Sequence, residues 1–126
     1  MVCNCNNADQ SNIIKFVKGT TVNLTFNFDT DISSYTGAEF TIRKNYETAP
    51  VINMTEGIEI TENMVNLELT PSDTNGFTEF MNGKDSASYI WGLDLLDEAN
   101  NIRVNVFPQT GNAAPLCIVY KHVVEG

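Results

Sequence analysis

The chain has 126 residues, 42% of them apolar, which suffices for one domain with its own hydrophobic core. Sixteen acidic residues against seven basic ones give a formal net charge of −9, which opposes binding to nucleic-acid phosphates. No apolar run approaches the roughly 20 residues that span a bilayer, and residues 1–7 lack the basic and apolar regions of a signal peptide. We therefore expect a soluble domain with neither a nucleic-acid partner nor a membrane partner.

The N-terminal segment is polar and aperiodic, so we predict an arm at residues 1–15 and a domain at residues 16–126. Two interpretations of its apolar residues remain open. In the first, the arm adds a strand to a neighbouring protein, and Ile13, Ile14 and Phe16 anchor that interface. In the second, Ile14 and Phe16 begin the domain's own first strand while residues 1–12 stay disordered.

The first half of the domain shows the alternation of half-buried strands. Apolar and polar residues alternate from Thr20 to residue 28, and again over residues 38–43, with turn-forming residues 29–34 between them. The pattern breaks at residues 45–50, and residues 51–54 form a short third strand. Ile58 and Ile60, the turn residues 62–63 and the alternation over residues 65–69 predict a hairpin.

A short helical turn is predicted after this hairpin. Thr70 is a good cap, Pro71 suits the first helical position and Gly76 suits the end. The apolar residues that follow, Phe77, Phe80 and Met81, are expected to close one end of the core.

The strongest strand pattern of the chain lies at residues 89–95 and is followed, after a turn, by alternation over residues 102–106. The last strand runs from about residue 116 to 124. Both of its faces are apolar in places, so it is either central or covered at an interface.

These elements predict an all-β fold, an immunoglobulin-like antiparallel β-sandwich of seven or eight strands, because no helix is long enough for a crossover between parallel strands. The predicted core consists of alternating residues on these strands: Val22, Leu24, Phe26, Phe40, Ile42, Leu67, Leu69, Trp91, Leu93 and Ile118.

Four segments in this order resemble the immunoglobulin-like N-terminal domain of phage baseplate upper proteins and related small tail or capsid-surface domains. Each segment alone is a generic strand with a turn, and together they cover most of residues 16–124. The segments are KGTT at 18–21, SYTGA with FTIRKNY at 34–46, VNLELTPSDT at 65–74 and YIWGLDLLD at 89–97.

The resemblance implies a virion structural protein that contacts other virion proteins, is present in multiple copies in a symmetric assembly and is assembled in the host cytoplasm. It implies no catalytic residue and no cofactor. The larger members continue beyond the position of Gly126, so we expect an adaptor or decoration subunit of the tail, baseplate or capsid surface rather than a complete host-recognition protein.

Catalytic and metal-binding patterns are weak. Enzymatic activity is not expected, because His122 is the only histidine and no nucleophile or phosphate-loop motif is present. Cys3, Cys5, Cys117 and His122 match the ligand number of a zinc site, but their spacing does not, and free thiols are favoured.

Two further sites have simpler alternatives. The oxygen-rich turn at residues 29–33 could bind Ca²⁺, but it lacks the pattern of a calcium loop and is more simply a solvated turn. Trp91 and Tyr89 could form a sugar-stacking surface, which makes a carbohydrate-binding module for a host-surface glycan the alternative function. Both residues lie on the same face of the predicted strand as Leu93 and Leu95, which favours a position in the core.

Overall fold

The computed structural model describes residues 3–5, 13–78, 80, 83–108, 111 and 113–122. Ten strands and a single helical turn, α1 (Pro71–Thr74), occur in these residues. The strands are β1 (Cys3–Cys5), β2 (Ile14–Val17), β3 (Val22–Phe28), β4 (Gly37–Arg43), β5 (Pro50–Met54), β6 (Glu59–Thr61), β7 (Met64–Leu69), β8 (Ser86–Asp97), β9 (Ile102–Phe107) and β10 (Leu116–Tyr120). Among the residues described, none forms a helix of the length and apolarity that crossing a bilayer requires.

The strands form two packed sheets, which confirms the predicted β-sandwich. Sheet A has the order β1-β3-β7-β6, and sheet B has the order β2-β10-β8-β4-β5, with β9 paired to β8. Taken as strands A-B-E-D and G-F-C-C′, β1-β3-β7-β6 and β10-β8-β4-β5 follow the strand order of an immunoglobulin domain. β2 and β9 are additions to that scheme.

Two details differ from the prediction. The described residues form more strands than the seven or eight expected, because the N-terminal segment contributes two short ones. The sheets are also not wholly antiparallel, since β2 pairs with β10 in parallel. A parallel pair joins strands that are distant in sequence, so local turn signals cannot reveal it.

The core lies between the sheets and is built around an aromatic cluster. Trp91 stands 5.4 Å from Phe26 and 4.7 Å from Phe107, measured between ring centroids. Eight of the ten predicted core residues are buried; the other two, Val22 and Ile118, are half-buried.

The prediction for Ile118 is wrong. On β10 the inward positions are held by Cys117 and Val119, and Ile118 therefore points to the outer face of sheet B. The alternation of this strand predicts two faces but does not indicate which of them is buried, because both are apolar.

The end of the sandwich between β7 and β8 is closed as the sequence predicts. Thr70 and Asp73 form a reciprocal capping box at the start of α1, and Pro71 occupies the first turn. Phe77 is buried against Phe16 and Tyr89, with ring centroids 5.5 and 4.8 Å away. Phe80 is half-buried at this end, whereas Met81 lies outside the described residues.

The N-terminal strands belong to the domain's own sheets. β1 pairs with β3, and Ile14 and Phe16 are buried on β2 beside β10. The second interpretation therefore holds for these two residues: they are core residues and are not available as anchors for a neighbouring protein. Its expectation of disorder is wrong for residues 3–5, because they form β1 and pair with β3. Ile13 is half-buried immediately before β2. The domain's own strands therefore begin before residue 16, because β2 begins at Ile14 and forms the edge of sheet B next to β10.

Candidate functional site

The proposed zinc ligands are spread over both sheets. Cys117 faces the core from sheet B, and burial raises the pKa of its thiol well above the ordinary range, so it stays protonated. The strand that contains Cys3 and Cys5 lies in sheet A, and His122 lies beyond the end of β10. No group of three or more metal-ligating side chains occurs within the part of the chain that the structure describes.

The oxygen-rich turn between β3 and β4 is organised by its own hydrogen bonds. The Asp31 carboxylate accepts a bond from the Ser33 backbone N–H at 2.8 Å, and this bond lowers the pKa of the carboxyl. Asp29 and Thr30 line an open depression there together with the β6–β7 turn. The arrangement is that of a solvated turn stabilised by its aspartate.

The predicted sugar-stacking pair lies in the interior. Trp91 is 2% exposed and Tyr89 is 1% exposed, so neither ring can stack on a ligand at the surface. The hypothesis of a sugar-stacking surface at these two residues is wrong. The expectation that they lie in the core, on the same face as Leu93 and Leu95, is confirmed.

The outer side of sheet B carries apolar residues, of which Leu116 and Tyr120 are exposed and Val17, Ile90 and Ile118 are half-buried. Tyr120 lies opposite Val17 in the β2–β10 register, and Leu116 lies opposite Ile90 in the β10–β8 register, with Ile118 between them along β10. Leu116 is 42% exposed. We call these five residues the apolar face.

The charges around the apolar face are unlike those of the rest of the chain. The outward positions of β2, β10 and the first part of β8, up to Ile90, include no aspartate or glutamate. Lys15 on β2 and Arg43 on β4 flank the face, paired in register with Ile118 and Ile90. In a protein of net charge −9, this face is locally cationic.

A groove opens further along β8, where β9 replaces β10 as its neighbour. Its open volume is about 250 Å³, and its walls come from β4, β8, β9 and the connections that carry Tyr46 and Ala114. Arg103 on β9 donates hydrogen bonds to the carboxylates of Glu39 on β4, at 2.8 Å, and of Asp94 on β8, at 2.7 Å. Both bonds raise the pKa of Arg103, and the bond to Asp94 contributes more than the bond to Glu39.

Two more contacts complete the groove. Asn105 donates its side-chain N–H groups to Asp94 at 2.9 Å and to the Phe107 carbonyl at 3.1 Å. The Ala114 backbone N–H donates to the Tyr46 hydroxyl at 3.0 Å, which ties the β4–β5 turn to the β9–β10 connection. The Tyr46 side chain is nevertheless 65% exposed. The groove therefore has polar groups that are held in place and one accessible aromatic ring.

Sequence reasoning missed both surfaces. The alternation of apolar and polar residues indicates that Glu39, Asp94 and Arg103 point outward from their strands. Only the pairing of β8 with both β4 and β9 brings the three side chains together. In comparisons with protein-family models and with curated proteins, the sequence matches none.

Proposed function

We propose that this protein is a non-enzymatic structural subunit of a bacteriophage particle, an adaptor or decoration subunit of the tail, baseplate or capsid surface. It is assembled into the virion in the host cytoplasm, in multiple copies, and it docks through the apolar face onto a neighbouring virion protein. The single observation that supports this proposal is the apolar face itself.

The apolar face has the composition of a surface for association. Side chains of Leu116, Ile118 and Tyr120 stand in a row on β10, and a neighbouring strand extends the row on either side. Contiguous exposed apolar residues on a sheet mark a surface for association, because removing them from water is favourable. The packed core and the resemblance to phage domains agree with a structural role.

The charges favour one kind of partner. Lys15 and Arg43 border the apolar face, and acidic side chains are missing from its outward positions on β2, β10 and the first part of β8. A protein surface with an apolar centre and carboxylates at its rim would match both features. We therefore propose a partner of that chemistry, which gains specificity and association rate from the basic rim.

The test uses particles of the phage that encodes the chain, purified and analysed by quantitative mass spectrometry. Leu116→Asp places a charge in the apolar face without disturbing the core, and we expect its incorporation to fall by about tenfold or more. Ile102→Asp is the matched control, because Ile102 is 46% exposed on β9, outside the apolar face.

Both variants are first shown to have the thermal stability of the original protein. The structural role is refuted if the original chain is missing from purified particles. The docking surface is refuted if Leu116→Asp and Ile102→Asp are incorporated equally.

A further inference from the structure

We propose that the groove between β4, β8 and β9 binds a single neutral sugar ring. The groove shares Ile90 and Arg43 with the border of the apolar face, but the rest of its lining lies outside that face. Its test uses Tyr46 and Asn105, which belong to the groove alone, so it does not depend on the proposed structural role.

The charges of the lining balance one another. Among the described residues, the ionised groups that line the groove are two carboxylates, Glu39 and Asp94, and two guanidinium groups, Arg43 and Arg103. Their charges cancel, so the groove holds neither the carboxylate excess that a cation site needs nor the positive charge that a phosphate site needs. Because Glu39 and Asp94 are already paired with Arg103, an uncharged ligand that bonds them through hydroxyl groups leaves these ion pairs intact.

The polar groups of the groove are held in place before any ligand arrives. Arg103 uses one nitrogen, Nη1, to bond both Glu39 and Asp94, and Asn105 holds the second oxygen of Asp94. An ionised carboxylate has about four acceptor positions, and a guanidinium has five N–H donors, so both retain capacity for ligand hydroxyls. Groups already fixed by neighbours lose little entropy when a ligand binds.

The groove combines an aromatic wall with a floor that carries no side chain at Gly92. The exposed ring of Tyr46 is fixed by the bond from Ala114, and an aromatic ring packs on the C–H face of a sugar. Gly92 lies on the floor of the groove. A larger residue would not fit there without a shift, because its Cβ would stand 3.0 Å from the Phe107 carbonyl oxygen.

The size of the groove limits the ligand. A volume of about 250 Å³ is below the ~300 Å³ at which pockets for drug-sized ligands begin, so it takes one ring rather than an oligosaccharide. A single ring with few contacts predicts weak binding, with Kd of about 1–10 mM.

The test is a titration followed by ¹H–¹⁵N NMR. D-glucose, D-galactose, D-mannose and N-acetyl-D-glucosamine are each added to the full chain to about 50 mM, well above the expected Kd. We expect at least one of them to shift the amide signals of groove residues such as Gly92 and Asn105 in a saturable way, and to leave those of sheet A unchanged.

Variants separate binding from structure. Tyr46→Ala removes the ring and is expected to weaken binding about tenfold or more, whereas Tyr46→Phe keeps the ring but loses the bond from Ala114 and is expected to weaken binding less than Tyr46→Ala does. Asn105→Ala is expected to weaken binding, and its matched control is Asn53→Ala, a change of an exposed asparagine on β5 outside the groove.

Each variant must keep the dispersed spectrum of the folded protein. The proposal is overturned if none of the four sugars shifts the groove signals, or if Tyr46→Ala and Asn105→Ala bind as the original protein does. In either case the Arg103 network only ties three strands together. Incorporation into particles is measured separately, so failure of one proposal leaves the other intact.

Discussion

Trp91 is the residue whose replacement tests the core most directly. It is almost fully buried on β8, and its ring lies within 6.0 Å of the rings of Phe26, Phe40 and Phe107. Trp91→Ala removes the largest buried side chain and leaves a cavity, which costs about 3–5 kcal/mol of the free energy of unfolding. The free energy of unfolding of a chain of this length is about 6–19 kcal/mol in total, so the variant stays folded but loses a large fraction of its stability.

The assay is urea denaturation followed by circular dichroism, with thermal denaturation as a second measure. We expect the midpoint urea concentration to fall with little change of slope, and the Tm to fall by about 10–20 °C. Ile102→Ala removes an exposed apolar side chain and should change the free energy of unfolding by less than about 0.5 kcal/mol. A loss below about 1 kcal/mol for Trp91→Ala would show that the ring is not packed between the sheets.

Three more changes test other parts of the structure. Burial raises the pKa of the Cys117 thiol in the fold, so its contribution to stability is present below the ordinary thiol pKa of 9.0 and is lost as the pH rises above it. In Cys117→Ala the free energy of unfolding, measured by urea titrations, should therefore decrease less steeply over that pH range. Thr74→Val removes the bond from the buried hydroxyl to the Thr20 carbonyl at 2.7 Å and should cost about 1–3 kcal/mol in urea denaturation, whereas Thr74→Ser, which keeps the donor, should cost less. Gly92→Ala pushes a methyl group against the Phe107 carbonyl, and a loss of about 1–3 kcal/mol is expected by thermal denaturation; an unchanged Tm would mean that β9 moves away freely.

Period-two alternation determined most of the fold. It placed β3, β4, β7 and β8 with the correct face inward, because one face of each is consistently apolar and the other is mostly polar. Local chemistry also determined α1, since the cap, the proline and the acidic residue of the capping box act within a few residues of one another.

The same reasoning failed where two faces compete. On β10, Cys117 and Ile118 are both apolar, and only the packing of sheet B against sheet A selects Cys117 for the interior. The parallel pairing that buries Ile14 and Phe16 joins residues about a hundred positions apart, which no local pattern encodes.

The candidate sites were decided by tertiary structure alone. Glu39, Asp94 and Arg103 are ordinary outward residues in the sequence, and they meet because β8 is long enough to pair with β4 on one side and with β9 on the other. The apolar face depends likewise on the order β2-β10-β8, which places Val17 beside Tyr120 and Leu116 beside Ile90. Sequence determines which side of a strand is polar, whereas strand order determines which polar and apolar residues become neighbours.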